Sequence, residues 1–159
     1  MNAQFVLHEE EFDALVAASE SLLSDACAKA VILIDKNGQL LTATGETAEL
    51  DATSLASLTA GNMAATEGLA KLVGEQGFGQ LFHQGQNENI HISGVGDRLL
   101  LVILFDERSS LGLVRLRLKQ ATSQISKIVV QAEQRCATDA RSPLDEITDA
   151  DLDTLFGKD

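Results

Sequence analysis

"QLFHQGQNENIHISGVGDRLLLVILFD" (residues 80–106) decides the fold. It reads as three short strands, with turns near residues 85–89 and at Gly96-Asp97. Glycine, asparagine and aspartate punctuate it where a chain reverses direction. Upstream, "KAVILIDKNGQLLTATG" (29–45) predicts two more strands. Residues 30–34 are apolar and β-branched, Asn37-Gly38 is a strong two-residue hairpin signal, and residues 40–44 return.

Helical spacing fills the rest. Phe12, Leu15, Val16, Leu22 and Leu23 recur among acidic and serine residues over 9–27. Asp51 or Thr53 can cap a helix running to about Val73, closed by Gly74, Gly77 and Gly79. Over 109–134, Val114, Leu116 and Leu118 alternate as in a strand. Ser109 and Ser110 can cap, however, and Ile125, Ile128, Val129 and Ala132 keep helical spacing, so we read helix throughout. The order is α-β-β-α-β-β-β-α. Hairpin links imply a five-stranded antiparallel sheet with helices packed on it, an α+β sandwich. Residues 1–136 form one domain. Residues 137–159 hold the chain's only proline and seven acidic residues, and read as a linker and a short amphipathic helix.

The chain has 159 residues and a net charge of −12, which repels phosphate backbones and anionic membranes. Cys27 and Cys136 lie far apart; one disulfide is compatible with that, and two free thiols in a reducing cytoplasm is the simpler reading. The N-terminal stretch lacks the basic and apolar regions of a signal peptide, and "LLLVILF" (99–105) is too short to span a bilayer. A cytoplasmic protein is expected.

Enzymatic chemistry finds no footing. His8, His83 and His91 stand alone; His83 and His91 flank a turn where they could meet, but no cysteine or acidic residue has metal-ligand spacing around them. "GVGDR" (94–98) enters a strand rather than a helix, and no GxxxxGK[ST] loop exists to hold a nucleotide. The acidic run near the C-terminus lacks the glycine and glutamate of a calcium loop. We expect no catalytic residue, no metal and no cofactor.

The helix over 57–72, "SLTAGNMAATEGLAKL", carries Gly61 and Gly68, and a glycine inside a helix costs about 1 kcal/mol relative to alanine. At 100° per residue, Leu55, Leu58, Asn62, Ala65, Thr66, Leu69, Leu72 and Val73 share a face, which we expect to pack on the sheet with partners for its polar members. Ser57, Gly61, Ala64, Gly68 and Glu75 form a second row along which the backbone is nearly bare. Ala56, Ala60, Met63 and Ala70 form a third, small and apolar. Bare backbone permits close approach, by an element of the same chain, a second copy, or another protein.

"VILIDKNGQLL" (31–41), "DATSLASLTAGNMAATEGLAKLVGE" (51–75), "FDERSSLGLVRLRLKQA" (105–121) and "SPLDEITDADLDTLF" (142–156) together resemble the Roadblock/dynein light-chain domain family, most closely its MglB-like subfamily. The resemblance spans nearly the whole chain. It implies a Roadblock-like sandwich, a homodimer open to further oligomerisation, and a Ras-like small GTPase of the MglA type as partner in a 2:1 complex. It implies stimulation of GTP hydrolysis, a role in cell polarity and motility, and enrichment at a cell pole. On that basis the GTPase is expected over Ser57, Gly61, Ala64, Gly68 and Lys71, with Ala56, Ala60, Met63 and Ala70 nearer the dimer axis. None of the arginines lies on the small row, so activation would proceed without an arginine finger. The C-terminal extension, through Ile147, Leu152, Leu155 and Phe156, is expected to contact the GTPase and favour exchange; the residues alone also allow a solvated acidic tail or one docked on its own domain. The alternative function is a dimeric Roadblock scaffold that binds a GTPase or other protein without changing turnover.

Overall fold

Eight elements follow one another in the computed structural model, which describes residues 5–139: α1 (Glu9–Asp25), β1 (Ala30–Asp35), β2 (Leu40–Gly45), α2 (Ala52–Val73), β3 (Gln80–Gln84), β4 (Asn89–Val95), β5 (Leu99–Phe105) and α3 (Leu111–Asp139). The order is the expected one, and α3 is helical from its start and continues past Cys136. Ile147, Leu152, Leu155 and Phe156 lie outside the described residues.

The strands form one antiparallel sheet ordered β2-β1-β5-β4-β3. β1 and β5 pair at its centre and are apolar at almost every position, because both faces of the sheet are covered. Val31, Leu33, Leu99, Leu101, Ile103 and Phe105 point to the layer of α1 and α3. The alternate residues Ile32, Ile34, Ile92, Leu100 and Val102 point to α2.

Local chemistry sets the boundaries. Asp51 caps α2 by accepting from the Ser54 N–H at 3.0 Å, and the Ser54 hydroxyl, donating at 2.6 Å, together with that N–H lowers its carboxyl pKa. Gly74 ends α2 in the left-handed conformation, where the Glu75 N–H reaches the Ala70 carbonyl at 2.9 Å. The Ser110 hydroxyl accepts from the Leu113 N–H at 3.2 Å and opens α3. Arg135 donates to Glu11 and to the Val6 carbonyl, tying the N-terminus to α3, and holds the Glu11 carboxyl down at about 2.

Candidate functional site: the outer face of α2

Two rows along α2 each repeat at alternating spacings of three and four residues. Leu55, Leu58, Asn62, Ala65, Leu69 and Leu72 form the greasier row; Ala56, Thr59, Met63, Thr66 and Ala70 form the smaller one. The structure buries the smaller row. The sheet already supplies bulk on that side through Ile32, Ile34, Ile92, Leu100 and Val102, so the helix closes on it with short side chains. This corrects two expectations. Most of the expected face does not pack on the sheet: Leu58 is 72% exposed, Leu69 59% and Leu72 84%, with Val73 and Ala65 also exposed, while half-buried Leu55 and buried Thr66 do turn to the sheet side. Ala56, Met63 and Ala70 are not a dimer surface, because the chain's own sheet covers them, and Ala60 is half-buried beside the β1–β2 hairpin.

Asn62 of the leucine row and Thr66 of the buried row, the two polar residues expected to need partners, both find them. Asn62 Nδ2 lies 2.9 Å from His83 Nε2 on β3, and the Thr66 hydroxyl donates to the Asn62 carbonyl at 2.8 Å. His83 and His91 do not meet. They pair with Ile90 and Phe82 in adjacent register, so they point to opposite faces. His83 faces α2, and His91 is fully buried on the α3 side with neither ring nitrogen bonded. Burial, with the nearby Arg115 charge, pushes the His91 pKa down.

Ser57, Gly61, Ala64, Gly68 and Lys71 lie as one exposed row, roughly a third of a turn around the helix from the leucines. A β-carbon added to Gly61 or to Gly68 would meet nothing within 4 Å. Packing within the chain therefore does not explain either glycine. Gly38 offers the contrast: its φ of +92° requires glycine, and a β-carbon there would stand 3.3 Å from the Ser57 Cα. The hairpin tip thus rests against the first turns of α2 and frames one end of the row. At the other end, Lys36, Glu67, Lys71 and Phe78 border a cleft of about 450 Å³ floored by Gly77, Gly79, Gly94 and Gly96. Lys36 and Glu67 approach to 3.9 Å.

This surface is apolar and smooth. Leu58, Leu69, Leu72, Val73 and Phe78 make it the main concentration of exposed large hydrophobics among the described residues. Sequence reasoning missed these leucines as surface; their companionship with a polar Asn62 was the available signal, since interhelical seams tolerate one such residue better than a sheet-facing core does. No arginine serves the surface among the described residues. Arg98 pairs with Glu133, Arg108 with Asp106 and Glu46, Arg135 with Glu11, and Arg115 and Arg117 sit on α3 across the sheet. Cys27 and Cys136 are free thiols. No helix among the described residues is long and apolar enough to cross a membrane.

The sequence profile of the Roadblock/LC7 domain matches residues 16–105. Among solved structures, the chain is similar to MglB of Myxococcus xanthus at 51% identity, over 80% of this chain and 96% of that one, with a TM-score of 0.76. It is similar to the gliding protein MglB of Thermus thermophilus at 33% identity, over 82% and 99% of the two chains, with a TM-score of 0.75. An MglB with a tetrameric arrangement matches at 32% identity, over 83% and 99%, with a TM-score of 0.77. No curated protein matches the sequence.

Proposed function

The chain belongs to the Roadblock/LC7 domain family, and from that membership we propose that it is a GTPase-activating protein for a bacterial Ras-like small GTPase of the MglA type. It acts as a homodimer in the cytoplasm, at a cell pole, in polarity and motility. The observation that carries this reading is the outer face of α2. Its glycines leave backbone bare toward open space, and its leucines are exposed beside them.

Two occupants fit the two rows. The leucine row, with its three-and-four spacing, suits α2 of a second copy related by a two-fold axis. The small row beside it then lies along one continuous platform made by both copies. A switch segment of the GTPase can approach bare backbone closely there, with Lys71 at the edge. The similarity to an MglB of tetrameric arrangement supports self-association of this fold.

The platform has no group to insert into a nucleotide site. It acts by binding one arrangement of the switch segments more tightly than another, which raises the population of the reactive one. The GTPase supplies the groups that stabilise charge on the transferring phosphate, a task that an inserted arginine performs in other activators. The C-terminal extension contacts the GTPase separately and favours exchange. The scaffold alternative predicts binding without faster turnover.

Ala64→Arg combined with Gly68→Arg tests the site. Both positions are exposed, so the fold accepts the change. We expect GTPase binding to vanish in a pull-down while light scattering reports an unchanged dimer mass. Retained binding would overturn the assignment.

A further inference from the structure

α3 differs from the other helices in charge. From residue 111 to 132 it carries Arg115, Arg117, Lys119 and Lys127, four of the chain's 12 Lys and Arg, and no Asp or Glu. All four are exposed, and among the described residues none is in an ion pair. Val114, Leu118, Ala121, Ile125, Val129 and Ala132 face inward. The opposite side therefore aligns Leu116, Lys119, Ser123, Lys127 and Val130 at spacings of three or four residues. Leu116 is 65% exposed and Val130 44% exposed. This is a cationic row with apolar residues at both ends, on a protein of net charge −12.

We propose that, in the protein without bound GTPase, this row is the docking surface for the chain's own acidic segment 147–156, which leaves it to make the GTPase contact proposed above. Charge favours it: residues 142–159 hold six acidic residues and one lysine, and Asp151-Leu152-Asp153 is complementary to Arg115-Leu116-Arg117. Ile147, Leu152, Leu155 and Phe156 supply apolar partners for Leu116 and Val130. α1 is the wrong seat, because it carries exposed Glu9, Glu10, Asp13 and Glu20 and no cation.

Reach is sufficient. α3 is described to Asp139, twenty residues beyond Lys119, which is about 30 Å of helix. The twelve residues from Asp139 to Asp151 extend to about 40 Å. The tether also raises the effective concentration to the order of millimolar, so a weak contact is well populated.

The 159-residue protein carrying a nitroxide at Asp153→Cys, in a Cys27→Ser, Cys136→Ser background, reads the contact through amide line broadening in solution NMR. The proposal expects loss of signal along 115–130, restored by Leu116→Asp with Lys119→Glu and restored in part by about 0.5 M salt, where screening shortens to a few ångströms. Signals on α3 that stay sharp in the parent protein would overturn it, as would broadening that survives the Leu116→Asp, Lys119→Glu exchange. A sample mixing isotope-labelled chains without nitroxide and unlabelled chains with it locates the donor. Broadening there equal to that within one chain would assign the segment to a second copy and overturn docking in cis.

Discussion

Replacing Gly61 and Gly68 by alanine separates folding from function in one experiment. Each glycine sits inside α2, where alanine is favoured by about 1 kcal/mol, largely because the unfolded chain loses freedom. Neither site opposes the change, since an added β-carbon meets nothing within 4 Å. The sites are seven residues apart, about 10 Å along the helix, and their effects should add. The double variant is therefore expected to gain about 2 kcal/mol, or roughly 4–8 °C in melting temperature for a domain of this size. Circular dichroism at fixed protein concentration reads this, because a dimer's melting temperature depends on concentration. The same two methyl groups stand where a GTPase segment is proposed to meet bare backbone, so GTPase binding should weaken as stability rises. A lower melting temperature would mean that the glycines are packed against something in the assembled protein. Higher stability with undiminished GTPase binding would refute the argument that partner approach explains them.

Leu58→Glu with Leu69→Glu should convert a dimer to monomers in sedimentation analysis; a two-fold interface loses four leucines, each contributing roughly 2 kcal/mol when buried, and an unchanged dimer would exclude this row from the interface. Burial keeps the folded-state pKa of His91 below its ordinary value, so the folded chain resists a proton that the unfolded chain accepts near 6.5. The stability His91 contributes is present above that pH and is lost as pH falls below it. The melting temperature of His91→Leu should fall less than that of the parent between pH 7.5 and pH 5.5, and parallel curves would contradict the assignment. Deleting residues 142–159 should leave the dimer intact and slow nucleotide exchange on the GTPase more than it slows hydrolysis; unchanged exchange would remove that role from the tail.

The sheet was legible because its signals are local. Asn37-Gly38 marks one hairpin, and the apolar runs of β1 and β5 are too short for anything but buried strands. The extent of α2 followed from Asp51 and Gly74. Its orientation did not. Two rows on α2 share the same spacing, and hydropathy favours burying the leucines, yet the sheet already holds the bulk and takes in Ala56, Thr59, Met63, Thr66 and Ala70, with Leu55 alone of the leucines packed at the edge. Nothing among the described residues covers Leu58, Leu69 and Leu72, and neither periodicity nor composition could reveal that they stay outside. His83 and His91 show the strand counterpart: an even sequence separation says nothing of facing until the turn fixes the register, which pairs each with a neighbour of the other.

GTP turnover by the cognate small GTPase, measured while this protein is titrated in, tests the central claim most directly. The account predicts a rise of about tenfold or more, equivalent to roughly 1.4 kcal/mol of barrier, saturating near two chains per GTPase and absent with the Ala64→Arg, Gly68→Arg variant. Flat turnover at concentrations where binding is saturated would contradict it and leave a scaffold in its place.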